Sequence, residues 1–266
     1  MRTRLAFSPE VRGPAWLLAL VVVAACSGPG STTGTPAPPA GTAMPLDRIA
    51  IVGASVSAGF GGQSFGDAFT AAAPRAQVTS AADVMLFRDP LGNSRNQIDT
   101  VIAWKPSVIV ALDFLFWDIY GFRGADRDAA LRTGLAELER ARAAGAWIVV
   151  GDVPHIVTAA EWMLSKEAVP SPDDLAAFNA EVAAWANGRE RVLFVPFAAW
   201  ADPLAKGDEI ALRDGSKVDA KPLMALDGLH ANARGVWVIL DRLDALIEST
   251  HPGTPKDALV FKRPAD

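Results

Sequence analysis

Between Pro106 and Asp113 the chain reads Ser107-Val108-Ile109-Val110-Ala111-Leu112, with five apolar residues in a row and no polar alternation. A strand with one face in water alternates. A continuous run predicts a strand covered on both faces, as in a parallel sheet between helix layers. Trp147-Ile148-Val149-Val150, closed by Gly151, repeats the pattern. Arg48–Gly53 and Arg191–Phe197 read as two more strands, and Gln77–Val84 as a weaker one. Helical patterns separate them. Ser64–Ala73 is stopped by Pro74, and Ser94–Trp104 carries Ile98, Val101 and Ile102 at helical spacing. Asp128–Ala144 puts Leu131, Leu135, Leu138 and Ala141 on one face, with Gly145 as a C-cap. Ser171-Pro172-Asp173-Asp174 supplies a cap, a proline for the first turn and acids at the positive end of the helix dipole. Ala231–Glu248 turns Val236, Ile239, Leu240, Leu243 and Ile247 inward. Asp214-Gly215 suits a small hairpin. Strands alternating with helices predict an α/β fold, a three-layer α/β/α sandwich around a five-stranded parallel sheet.

The ends of the chain are different in kind. Arg2, Arg4 and Arg12 precede an apolar run from Pro14 to Ala25, and small residues lead into Cys26, the only Cys. Residues 1–25 therefore read as a signal peptide. The Cys at that position resembles a bacterial lipobox, which implies cleavage before Cys26 and lipid on its thiol. The other reading is an ordinary secretory signal with an incidental Cys. Residues 26–45 are rich in Gly, Ser, Thr and Pro and read as a tether. Residues 46–266 are long enough for one domain with its own core. The expected location is the bacterial cell envelope, anchored to a membrane by lipid on the periplasmic or extracytoplasmic face. A single Cys leaves no internal disulfide. The net charge of −5, with both signs interspersed, argues against a nucleic-acid surface. Three His and one Cys suggest no metal site, and Gly59–Gly62 lacks the lysine of a phosphate loop, so no cofactor is expected.

In open parallel sheets the reactive groups gather at the carboxyl ends of the strands. Ser55, Asp113, Asp152 and His155 all fall there. Ser55 lies in Gly53-Ala54-Ser55-Val56-Ser57-Ala58-Gly59, where small neighbours permit a sharp turn and close approach of a substrate. A serine here can act as a nucleophile, with its own N–H facing a developing oxyanion, or simply cap a helix. Ser57 ranks second as the alcohol. Asp227-Gly228-Leu229-His230 offers an acid and an imidazole three residues apart. The pair can supply a base and its orienting carboxylate, or cap a turn beside a surface histidine. An alcohol, a base and an acid are what nucleophilic acyl transfer needs.

These two blocks resemble the GDSL/SGNH hydrolases, at Gly53–Gly59 and at Asp227-Gly228-Leu229-His230-Ala231-Asn232-Ala233-Arg234-Gly235. The resemblance implies a flavodoxin-like α/β/α sandwich and a serine esterase. In it Ser55 attacks an ester carbonyl, His230 acts as base then acid, and Asp227 orients the ring. Two departures stand out. Ala54 replaces the usual Asp before the nucleophile, and Leu112–Asp118 lacks the family's Asn oxyanion donor. Gly92 is the positional candidate for the family's oxyanion glycine, and Asn93 for a replacement donor. Asp113 reads as a substrate contact, as a loop anchor, or as a carboxylate satisfied by nearby backbone N–H groups. Phe114 and Trp117 line a substrate pocket or cover the core, and His155 stands at its rim. The expected substrate is a small-molecule or glycan ester, a thioester or an acetyl-glycan. A non-catalytic lipoprotein binding acyl or glycan ligands, or an envelope acyltransferase, is the alternative.

Overall fold

In the computed structural model, residues 43–264 are described. The signal segment, Cys26 and the tether up to residue 42 lie outside them. In chain order the elements are β1 (Arg48–Ile51), α1 (Ser55–Ala58), α2 (Phe65–Ala72), β2 (Gln77–Ser80), α3 (Pro90–Trp104), β3 (Val108–Ala111), α4 (Phe116–Tyr120) and α5 (Gly124–Ala143). They continue with β4 (Trp147–Gly151), α6 (Pro172–Ala186), β5 (Val192–Val195), α7 (Phe197–Lys206), β6 (Glu209–Ala211), β7 (Lys217–Asp219) and α8 (Ala233–Thr250).

The main sheet has the order β2-β1-β3-β4-β5, and every pairing in it is parallel. The apolar runs are continuous because both faces are buried. Ile49, Ile51, Val108 and Val110 pack on one side with Phe65 and Phe69 of α2 and Ile239 and Leu243 of α8. Ala50, Val52, Ile109 and Ala111 pack on the other with residues of α3, α5 and α6. The period-two alternation of a strand divides each run between the two cores. The chain moves outward from β1 to β2, then back across to β3. The carboxyl ends of β1 and β3 thus form the switch point where such sheets open a crevice. Asp214-Gly215 turns the β6–β7 hairpin, with Ile210 opposite Val218.

The local signals act as read at several ends. Ser171 Oγ accepts from Asp174 N at the start of α6, and Asn232 Oδ1 accepts from Arg234 N and Gly235 N at the start of α8. Other boundaries differ. The helix expected from Ser94 starts at Pro90, capped by Asp89. The fifth strand stops at Val195, because Pro196 cannot continue the ladder and caps α7 instead. The packed body also takes in Met44, which is buried and donates its N–H to Thr254 Oγ1 at 2.9 Å.

Asp118 on α4 has a testable consequence. It is buried, and its Oδ2 meets no hydrogen-bond donor among the described residues. A Cβ on Gly134 of α5 would fall 2.2 Å from that oxygen, so only glycine leaves it room. Burial pushes the Asp118 carboxyl well above the ordinary range. The folded state therefore holds a proton that the unfolded chain releases, and stability falls as the pH rises through the raised value. Asp118→Asn removes that titration. Melting curves at pH 5 and pH 8 should show little change at the lower pH and a gain at the higher one, at about 2–4 °C per kcal/mol recovered. An equal shift at both values would rule out this role for the charge.

Candidate active site

β1 ends in a turn that only glycine allows. Gly53 has φ +148°, and a Cβ there would lie 2.1 Å from Asp113 Oδ1 and 2.7 Å from Ser57 Oγ. Gln97 of α3 holds both sides of this peptide position. Gly53 N donates to Gln97 Oε1 at 2.8 Å, and Gln97 Nε2 donates to Gly53 O at 2.9 Å. Ser55 then opens α1. Asp113, from the end of β3, reaches across the switch point to the first turn of that helix. Its Oδ2 accepts from Val56 N at 2.9 Å and Ser57 N at 3.1 Å, and its Oδ1 from Ser57 Oγ at 2.5 Å. The Ser55 N–H donates to no acceptor among the described residues. Burial pushes the Asp113 carboxyl up, against the pull of these donors.

The far block closes on the same point. His230 Nε2 lies 2.8 Å from Ser55 Oγ, across 175 residues of chain. His230 Nδ1 lies 2.7 Å from Asp227 Oδ2, and Asp227 Oδ1 accepts from Leu229 N and His230 N, each at 3.0 Å. Burial pushes the Asp227 carboxyl up, but these donors outweigh it and hold it below its ordinary value. Its contribution to stability is therefore present above the unfolded pKa and is lost as the pH falls through the depressed one. An ionised carboxylate only accepts, so Nδ1 carries the imidazole proton and Nε2 is left to accept from the Ser55 hydroxyl. The imidazole is 1% exposed, tucked under the Phe60 ring at 4.7 Å between centroids. The loop after β4 fastens the acid. Ala160 N donates to Asp227 O and Thr158 Oγ1 to Gly228 O, both at 2.8 Å. Gly228 has φ +65°, and a Cβ there would strike Thr158 O at 2.2 Å.

Several candidates from the sequence are placed elsewhere. Gly92 lies in the first turn of α3, and its N–H donates to Asp89 Oδ1 at 3.1 Å as part of the helix cap. Asn93 donates its side-chain N–H to Met85 O at 3.3 Å. Neither borders the space beside Ser55, so both are corrected as oxyanion donors. Ser57 is fully buried with its hydroxyl on Asp113, which removes it as the alcohol. Phe114 is core, 1% exposed on the α3–α5–α6 side of the sheet. Trp117 packs against Phe87 and Phe116. His155 is half-buried and stays outside the cavity, while its neighbours Pro154 and Ile156 border it. Asp113 touches the cavity wall but faces α1, so it anchors the turn and is satisfied by backbone N–H groups, as one of the sequence readings held.

One residue, Gln97, was missed. Gln97 is a polar residue on the inward face of a helix, beside Ile98 and Val101, and that mismatch was its signal. Tyr120 is the chain's single tyrosine. It donates its hydroxyl to Pro154 O and accepts from Ile156 N, each at 2.8 Å, which shapes the loop after β4. Beside Ser55 lies a cavity of about 50 Å3, lined by Ala54 and Val56, by Phe116 and Ile156, and by Phe197, Ala201 and Leu204 of α7, among others. Among the described residues, no group of three His, Cys, Asp or Glu could hold a metal ion, and no helix is long and apolar enough to cross a membrane.

No protein-family model matches the sequence, and no curated protein matches it. Solved structures do. A GDSL-like lipase from Bacteroides thetaiotaomicron superposes with TM-score 0.53 at 17% identity, over 78% of this chain and 92% of that one. The psychrotrophic esterase EstA from Pseudoalteromonas sp., inhibited by monoethylphosphonate, gives 0.52 at 15% identity, over 76% and 97%. The fold is that of the GDSL-type esterases and lipases. A catalytic mutant of an acetylxylan esterase from Geobacillus stearothermophilus gives 0.50 at 15% identity, over 78% and 95%. In this fold the turn that carries Ser55 has Ala54 before it and is held by Asp113 from the end of β3.

Proposed function

We propose that this chain is a serine hydrolase that cleaves carboxylic esters through an acyl-enzyme. The reading rests above all on the unbroken hydrogen-bond line from Ser55 through His230 to Asp227, at 2.8 and 2.7 Å. Ser55 Oγ attacks the carbonyl carbon as its proton passes to His230 Nε2. The tetrahedral intermediate collapses, the bond to the leaving oxygen breaks, and that oxygen takes the proton from Nε2. Water then attacks the acyl-enzyme, gives a proton to Nε2, and the proton returns to Ser55 Oγ as the acid leaves. The Ser55 N–H, which has no other acceptor among the described residues, serves the oxyanion in this reading. Without an Asn donor the rate falls below that of a fully furnished site by about 10²–10³-fold. A protein that only binds acyl or glycan ligands has no need of a buried imidazole whose tautomer is set by an ionised acid.

The test is labelling of the folded protein by a fluorophosphonate probe, with the adduct located by mass spectrometry. An adduct on Ser55 supports the reading, and none on Ser55 overturns it. Asp227→Asn leaves the shape but lets the ring take the wrong tautomer. Steady-state turnover of p-nitrophenyl butanoate by that variant should fall by about 10⁴-fold. For the leader, we propose lipid attachment at Cys26 and residence at the cell envelope, with an ester-bearing small molecule or glycan as the substrate met there. Metabolic labelling with an alkyne fatty acid should mark the wild-type chain and leave Cys26→Ser unmarked. Equal labelling of both would exclude that site.

A further inference from the structure

We infer that the cavity beside Ser55 is an acyl-chain pocket that selects short unbranched acyl groups, butanoyl to hexanoyl, over acetyl. The inference rests on the hydrolase reading and goes beyond it by naming the acyl group. The cavity lies at the carboxyl edge of the sheet, where the two cores run out. Leu204 and Ile239 reach it from one core, Phe116 and Ile156 from the other. Among the described residues on its wall, Ser55 and Asp113 are the only ones whose side chains carry a strong hydrogen-bonding group. Both are engaged, with His230 and with the α1 turn. No side chain of the wall is left to receive a sugar hydroxyl or a polar acyl substituent, so the occupant is hydrocarbon.

The size sets the length. A volume of about 50 Å3 holds about four water-sized groups at roughly 10–15 Å3 each, and a methylene is of similar size. An acetyl group leaves that space unfilled. Each methylene buried there is worth about a fourfold gain, so hexanoyl should exceed acetyl by about 10² in kcat/KM, and further carbons should add little. Ala201 is what keeps the space open on the α7 side. It is a small, buried residue between Phe197 and Leu204, where a larger side chain would project into the cavity.

The experiment is a chain-length series of p-nitrophenyl acetate, butanoate, hexanoate and decanoate on the wild type, Ala201→Phe and Leu204→Ala. The wild-type kcat/KM should rise to butanoate or hexanoate and then level or fall. Ala201→Phe should lower the hexanoyl-to-acetyl ratio at least tenfold, and Leu204→Ala should move the optimum towards longer chains. The ratios use acetate as an internal reference, and Leu204→Ala answers the question if Ala201→Phe does not fold. A steady decline from acetate onward, in protein whose Ser55 is labelled by the fluorophosphonate, overturns the pocket and leaves the hydrolase standing. So does a ratio that neither variant moves. No turnover of any ester together with no label on Ser55 overturns the hydrolase reading, and the pocket assignment with it.

Discussion

Ser55→Ala is expected to lower kcat/KM for short-chain esters by at least about 10⁴-fold, with the protein still folded. The Ser55 hydroxyl makes its hydrogen bond to His230 Nε2 and takes no part in the helix cap, which belongs to Asp113. Its loss leaves one ring nitrogen without a donor, at a cost of about 1 kcal/mol, or about 2–4 °C in melting temperature. Activity and stability thus separate. Residues that act as a unit are not additive, so Ser55→Ala with Asp227→Asn should be no slower than Ser55→Ala alone. The decisive measurement pairs p-nitrophenyl butanoate kinetics with a melting curve. Wild-type turnover in a folded Ser55→Ala protein would remove this serine from the mechanism.

Asp113→Ala should have the largest effect on stability. It strips the acceptor from the part-buried Val56 N–H, the buried Ser57 N–H and the buried Ser57 hydroxyl. Orphaned buried groups cost about 1–3 kcal/mol each, so a loss of about 3–5 kcal/mol is expected. The first turn of α1 carries Ser55, and a displacement of about 1 Å there costs about 10²-fold in rate. Asp113→Asn divides the geometry from the charge. The amide oxygen can still accept from Val56 and Ser57 N–H, and the Ser57 hydroxyl can turn to accept from the amide nitrogen. It should therefore keep most of the stability that Asp113→Ala loses. Because burial raises the Asp113 carboxyl, the charge weakens the fold as the pH rises through the raised value. The deficit of Asn relative to Asp should accordingly shrink from pH 5 to pH 8. Equal losses for both variants, by chemical denaturation, would contradict the role assigned to the carboxylate.

The turn at Ser55 is also held from outside its own segment. Ala54 gives α1 no side-chain cap, and the carboxylate that takes its place is Asp113. It reaches the turn from the neighbouring strand, and Gly53 leaves the room. That pairing was not legible from the chain, where Ala54 and the missing Asn of Leu112–Asp118 read as separate departures and Asp113 was open to three readings. Phe114 and Phe116 make the same point. They are the same residue type two positions apart, and one is core while the other borders the cavity. The expected pocket followed the aromatic cluster around Phe114 and Trp117. The cavity instead takes much of its wall from α7, a helix hidden inside what read as the end of a strand and a loop.

Ser55, Asp227 and His230 could be singled out beforehand because each block is local, with its neighbours within a few residues. The same holds for the five strands and the helix caps. Continuous apolar runs, prolines, glycines and capping side chains act over one or two turns of backbone, and the chain alone states them. What stands beside the serine is another matter. The Gly92 N–H is engaged by a helix that starts four residues early, Gln97 clamps Gly53 from 44 residues away, and Ala201 opens a space by being small. Such outcomes depend on which side chains from distant segments meet, and on where they fail to fill the edge of the sheet. Packing decides that only once all the layers are in place.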